Sequence, residues 1–230
     1  MAETGTIPQK IRWAIYATGL FSNSANAMVA VAVPLWLISL NASPAVIGFA
    51  MGARYILPTL LSIHAGLMRD KLGTRRVLLV FAVIGVVTPP LHPVLPWVWA
   101  VVILQMLGGL SSSMGWVGGQ TLIGQLTGGS HTESGRLAAS HRVGSLIAGP
   151  LVGATWDLFG PWGAFTLMGI WGCGLLVASL VLPKTLPSRS RFSGPVGWRD
   201  VMPSYADYRK TFALLATPAV GLIVLISMLN

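Results

Sequence analysis

The sequence predicts an all-α protein of membrane-spanning helices, and three observations carry that prediction. Only 9% of the 230 residues are charged, where a water-facing domain uses about 25%. Hydrophobic residues make up 53% of the chain and the mean hydropathy is +0.71. The few charges gather in short clusters between uncharged stretches, several of them long enough for a bilayer core, which takes about 20 apolar residues per helix. A chain so poor in ionic side chains cannot solvate its own exterior, so that exterior is expected to meet lipid.

The spans follow in order. From Trp13 to Ala53 there are 41 positions without a charge, enough for one helix and the start of another. Asn41-Ala42-Ser43-Pro44 supplies turn chemistry between them, which gives a first span over 13–40 and a second over 45–67. The N-terminal apolar run is too long for a signal-peptide core, and further spans follow, so it is read as retained. Val77 to Thr132 is uncharged for 56 positions. The prolines at 89, 90, 93 and 96 cannot continue a helix ladder; they separate span three (77–90) from span four (97–122). Span five runs from Leu137 to Asp157 and span six, after Gly160-Pro161, over 162–183. Trp97, Trp99 and Trp162 are placed at the interface as aromatic belt residues. A polar connector occupies 184–210, and Thr211–Asn230 is a seventh uncharged stretch. The domain reading is therefore an N-terminal tail (1–12), a six-helix unit (13–183), the connector and helix seven (211–230).

Charge placement sets an orientation. With the N-terminus in the cytoplasm, the inner segments hold Lys10 and Arg12, then Arg69, Lys71, Arg75 and Arg76, then Arg136 and Arg142, then six more from Lys184 to Lys210. The outer loops near residues 42, 92 and 159 hold none. Lys and Arg resist translocation, so this asymmetry predicts a multi-pass plasma (inner) membrane protein with a cytoplasmic N-terminus. The same distribution argues against nucleic acid as a partner despite the net charge of +9, because no basic residues collect on one solvated face. Cys173 and the four histidines lack metal-ligand spacing. No phosphate-binding glycine loop or nucleophile elbow occurs, so neither an enzyme nor a cofactor is expected.

One basic residue escapes the inner segments. Arg54 lies about nine residues into span two, roughly 13 Å deep at 1.5 Å per residue. Such burial costs about 2.5–3.5 kcal/mol on insertion scales, and intramembrane charges commonly mark a pathway or a partner. Snorkelling to the interface and a structural bond to neighbouring carbonyls are the other readings. No carboxylate lies at comparable depth, so an acidic partner would be an anionic solute or a group outside this chain.

Residues 66–76, Gly-Leu-Met-Arg-Asp-Lys-Leu-Gly-Thr-Arg-Arg, resemble the signature loop between helices two and three of the major facilitator superfamily (MFS), and they fall between spans two and three. Gly66 and Gly73 suit a tight turn and close helix contact. Asp70 can cap a helix or pair with cations such as Lys71. Arg75 and Arg76 are expected to anchor span three at the anionic leaflet. The resemblance implies that this loop is a cytoplasmic gate. Two further stretches agree with it. Gly149-Pro150 in span five resembles the family's helix-five Gly-Pro motif, often associated with antiporters, although Ala154 stands where a second glycine is usual. Ser145, Gly149 and Gly153 recur every four residues as a small-residue packing face, and Pro150 favours a bend. In span four the family often has an Arg four residues before a Gly. Gln105 stands there, ahead of Gly109, so the Arg has no counterpart.

Gln105, Gly109, Ser112, Trp116 and Gln120 share one side of span four, and Asn23 and Asn26 share one side of span one. The resemblance implies a cavity lined by helices one and four of each half, which makes Asn23, Asn26, Arg54, Gln105, Ser112, Trp116 and Gln120 the substrate-pathway candidates. Interhelical hydrogen bonding would use the same residue types.

The resemblance implies an MFS-type six-helix bundle followed by the connector and a seventh transmembrane helix. It implies secondary active transport of a small solute by alternating access, coupled to a proton or sodium ion, with efflux one direction. Family sites lie between two halves, so a missing C-terminal half is an expected partner beside the lipid bilayer. A non-transport scaffold, assembly factor or sensor, and an inactive fragment of a split transporter, stand as alternatives.

Overall fold

The computed structural model describes residues 7–184, except the side chains of Ile63, Leu67, Asp70 and Lys71. The connector from residue 185 and the seventh apolar stretch lie outside the described residues. Within them the regular structure is all helix: α1 (Gln9–Ser22), α2 (Ala25–Ser39), α3 (Pro44–Ala53), α4 (Ile56–Leu60), α5 (Ser62–Leu72), α6 (Thr74–Val87), α7 (Leu91–Val94), α8 (Val98–Thr127) and α9 (His131–Val181). Gln9–Ser39, Val98–Thr127 and His131–Val181 are each long and apolar enough to cross a membrane, and Pro44–Leu60 is a shorter apolar helix.

At 1.5 Å per residue the 51-residue α9 would extend about 77 Å, more than twice a hydrocarbon core of about 30 Å. It is two helices joined at a kink, because Gly160 takes φ 64 and ψ −161, a conformation closed to residues with a Cβ. Helix runs through Pro150, so the break falls at Gly160-Pro161. The first arm covers 131–159 and the second 161–181.

Two stretches read as continuous spans are interrupted. The first breaks at Asn23-Ser24, where Asn26 N–H and Ala27 N–H bond back three residues, at 3.0 and 2.9 Å. The second breaks at Arg54-Tyr55 and again at Leu61. Pro58 explains the former: it has no N–H to give the carbonyl four residues back, and its ring crowds that carbonyl. The carbonyl belongs to Arg54.

Inside lipid, helices are held less by the hydrophobic effect than by close packing, so small residues mark the tight contacts. The first arm of α9 packs on α1 and α2 through Gly144, Ala148 and Val152, all buried. A Cβ on Gly144 would stand 2.6 Å from the Leu20 carbonyl oxygen. The tightest contacts fall one residue before the expected Ser145–Gly149–Gly153 face. Gly149 meets Ala27 only at 3.8 Å and Gly153 meets nothing within 4 Å among the described residues. The packed face is turned by one residue. The second arm packs on α1 too, with Trp171 Nε1–H donating to Ser24 Oγ, just past α1, at 3.1 Å and its ring edge-on to Phe21 at 5.1 Å.

Two apolar cores mark opposite ends of the bundle. One gathers Ile15, Leu78, Leu122, Leu137 and Leu182; the other gathers Met28, Leu37, Ala53, Val101, Val152 and Phe165. The outer surface carries large apolar side chains, among them Leu146 (77% exposed), Leu158 (74%) and Trp99 (72%). Patches of that kind match a lipid environment and would be a liability in water. The molecule is an all-α, multi-pass membrane protein.

Adding one methyl at each of two glycines separates the packed face from the open one. Gly144→Ala should lower the melting temperature of the detergent-purified chain, at a cost of about 1–3 kcal/mol for overpacking. Gly153→Ala, which meets nothing among the described residues and replaces glycine with a better helix former, should leave it unchanged or raise it slightly. Equal melting curves for the two variants would show that the contact with Leu20 is wrongly placed.

Candidate functional site

The Pro58 kink drops the backbone of Arg54 against α8. A Cβ on Gly109 would lie 1.9 Å from the Arg54 carbonyl oxygen, so only glycine permits this approach. The guanidinium then turns into the bundle, where Arg54 is 5% exposed. Its Nε donates to Asn26 Oδ1 at 2.7 Å, Nη1 to Gln105 Oε1 at 3.4 Å and Nη2 to Ser112 Oγ at 2.7 Å. No carboxylate of the described residues takes part. Among the described residues the ion pairs are Arg12–Glu133 and Arg136–Glu133, near the ends of α1 and α9. Hydrogen bonds to a charged group contribute about 1.5–3 kcal/mol each. Three of them outweigh an insertion cost of about 2.5–3.5 kcal/mol.

Two hydrogen-bond chains leave Arg54. In one, Asn26 Nδ2 donates to Asn23 Oδ1, Asn23 Nδ2 meets His141 Nε2 at 3.4 Å, and His141 Nδ1 meets Ser145 Oγ at 3.4 Å. In the other, Gln105 Nε2 meets His92 Nε2 at 3.2 Å, and His92 Nδ1 faces the Thr88 and Pro89 carbonyls, each at 3.1 Å. Arginine can only donate. Asn26 and Gln105 must therefore turn their oxygens to it and their amide N–H groups away. Asn23 repeats that polarity. Each chain thus ends by donating to a histidine Nε2, which must carry a lone pair. Both histidines are neutral with the proton on Nδ1, the nitrogen that meets a carbonyl or hydroxyl acceptor.

The seven pathway candidates divide. Arg54, Gln105 (1% exposed) and Ser112 (6%) lie inside the bundle. Asn23, Asn26 and Trp116 are half-buried and Gln120 is exposed. The polar side of α8 therefore faces the Arg54 kink over its first part and opens only beyond Trp116. Trp116 packs on the His141 ring at 5.3 Å, and His92 stacks parallel on Phe165 at 4.6 Å. Neither histidine stood out in the sequence, because their partners are 118 and 13 positions away. Pro58, four residues after Arg54, was the readable signal for the kink. No cluster suited to a metal occurs among the described residues.

The gating-motif candidates lie elsewhere. Gly73 carries φ 86 and ψ 139 between α5 and α6, a turn that requires glycine. Gly66 sits inside α5 with nothing within 4 Å of a Cβ among the described residues, so it makes neither the turn nor a close contact with them. Arg75 does not reach outward. Its Nε and Nη2 donate to the carbonyls of Ser179 and Leu180 at 3.2 and 2.9 Å, satisfying the last turn of α9 where a cation is favoured. Arg76 is exposed. The Asp70 and Lys71 side chains fall outside the described residues. At the start of α9, Tyr16 donates to Glu133, whose own N–H meets Ser130 Oγ.

The family profile described as Major Facilitator Superfamily matches residues 15–230. No curated protein matches the chain.

The donor logic is open to direct measurement. NMR of the ring nitrogens, with signals assigned through His92→Gln and His141→Gln, should find both histidines in the Nδ1–H tautomer at neutral pH. Arg54→Gln, whose amide can face either way, should populate both tautomers at each ring. A wild-type His141 protonated on Nε2 would refute the chain of amides.

Proposed function

The chain belongs to the major facilitator superfamily, a family of transmembrane transporters, and from that premise we propose secondary active transport of a small solute by alternating access. The observation that carries the reading is the polar chain inside an apolar bundle. It begins at the fully buried Arg54 and surfaces at the half-buried Asn23, Asn26, Trp116 and His141. Polar residues are costly at membrane depth, and those facing a cavity commonly serve a pathway.

In this proposal Asn23, Asn26, Trp116 and Gln120 contact the solute, while Arg54, Gln105 and Ser112 stand behind them. The uncompensated charge of Arg54 favours an anionic solute. Coupling to a proton or sodium gradient belongs to the same reading, and His141 at the surfacing end of the chain supports the proton. The N-terminus and the 66–76 turn lie in the cytoplasm of an inner membrane, with Gly66, Asp70, Lys71, Gly73, Arg75 and Arg76 acting as a gate. Placement of 14 of the 15 Lys and Arg residues supports that orientation. We further propose six spans over 13–183, a connector over 184–210 and a seventh span over 211–230, with a C-terminal half completing the site from the opposite side.

Reporter fusions after residues 72, 130 and 184 should read as cytoplasmic, and fusions near 42, 92 and 159 as external; a reversed pattern would overturn the orientation. For transport, the protein with any C-terminal half should be assayed in vesicles of both orientations against radiolabelled anionic, neutral and cationic solutes. An anionic solute should accumulate under a proton or sodium gradient. Arg54→Ala should abolish that accumulation while membrane insertion is retained, and full activity in that variant would remove Arg54 from the pathway.

A further inference from the structure

A small cavity, about 40 Å³, lies against the Arg54 guanidinium and is lined also by Ser22, Thr88, His92, Gln105 and Ser112. We propose that it is a binding site for one small inorganic anion of the size of chloride, held inside the bundle as the counterion of Arg54. The proposal does not depend on what solute the protein moves; with such an anion bound, the charge of Arg54 is already balanced and no longer argues for an anionic solute.

Charge is the first ground. A cation 95% withdrawn from solvent, with only neutral partners, leaves a full positive potential in a low-dielectric interior. The neutral acceptors satisfy hydrogen bonds without cancelling that charge. Among the described residues the carboxylates Glu133 and Asp157 lie elsewhere, Glu133 tied to Tyr16, Arg12 and Arg136, and Asp157 exposed.

Donor capacity is the second ground. A guanidinium has five N–H groups, and the three bonds to Asn26, Gln105 and Ser112 use one on each nitrogen. One N–H on Nη1 and one on Nη2 remain. Ser22 Oγ is buried and has no partner. A Cβ placed on Gly108 would stand 3.3 Å from Arg54 Nη1 and 3.7 Å from Thr88 Oγ1, so the missing side chain there leaves space between two donors. The competing acceptors are already engaged, since Gln105 Oε1 receives Nη1 and His92 Nε2 receives Gln105 Nε2–H. What remains available to a guest is an N–H and O–H lining around a positive charge.

Size is the third ground. A water needs about 10–15 Å³ on this measure, so a monatomic anion or a few waters fit. Drug-sized solutes occupy pockets of about 300–1,000 Å³ and do not. Waters would satisfy the donors but leave the charge uncompensated, which favours the anion.

Equilibrium binding of radiochloride to the purified full chain should saturate at one ion per chain, with bromide competing and gluconate, too large for the space, failing to compete. Melting temperature at fixed sodium concentration should rise as chloride replaces gluconate, as mass action requires of a ligand that binds only the folded state. Arg54→Gln should remove both effects. Should that variant not fold, Gly108→Ala, which fills the space and keeps the charge, should weaken chloride binding by about tenfold or more, a loss of about 1.4 kcal/mol. Identical melting curves in chloride and gluconate would mean that water alone fills the cavity, and the proposal would fall. It would fall equally if Gly108→Ala bound chloride as tightly as the wild type.

Discussion

A guanidinium in an apolar bundle can donate and never accept, and the described part of this molecule is arranged around that restriction at Arg54. Three neutral oxygens from two helices converge on it: Asn26 from α2, and Gln105 and Ser112 two turns apart on α8. Each of the two amides has a second end, and the charge dictates which way that end points. The direction imposed at one residue is therefore felt at two histidines, reached through different helices. Replacing any one amide by an apolar side chain would leave a buried donor unpaired, which costs more than the bond itself contributes.

Backbone chemistry makes the convergence possible. Pro58 denies the Arg54 carbonyl its ladder partner, the helix turns, and Gly109 leaves room for the exposed peptide. Neither residue is polar or charged, yet without them the guanidinium would stand on the surface of a straight helix. Asn23-Ser24 interrupts the first span without a proline, and the Asn23 and Asn26 side chains there lie within bonding distance of each other. Arg54 and Asn23 thus coincide with interruptions in the helices that carry them, whereas Gln105 and Ser112 sit in the unbroken α8.

The two ends of the bundle are held by different chemistry. At one end Phe165 lies stacked with His92 and edge-on to Trp36 and Trp156, a dense aromatic layer next to the Arg54 network. At the other, Arg75 ties the start of α6 to the end of α9, and Glu133 ties the start of α9 to α1 through Tyr16 and Arg12. Ionic contacts near a surface contribute little each. Their value here is geometric, because they join helix ends that are distant in sequence and close where the chain turns back.

Composition and spacing determined the class of this protein. Scarce charge, long uncharged runs and turn residues at 41–44, 88–96 and 160–161 are local properties, and a helix in lipid must satisfy its backbone locally whatever surrounds it. The loop at 66–76 pointed to the superfamily for the same reason: its glycine and basic residues are contiguous. Tertiary structure decided what could not be local. Ser145, Gly149 and Gly153 form as regular a small-residue stripe as Gly144, Ala148 and Val152, and only the position of Leu20 and Ser24 selects the second. The polar side of α8 was legible from its spacing, but its partner, a kinked arginine, came from another helix. The tautomers of His92 and His141 follow from a charge several residues away through space. A hydrogen bond's direction is set by whatever lies at the far end of the chain, and no one-dimensional pattern contains that end.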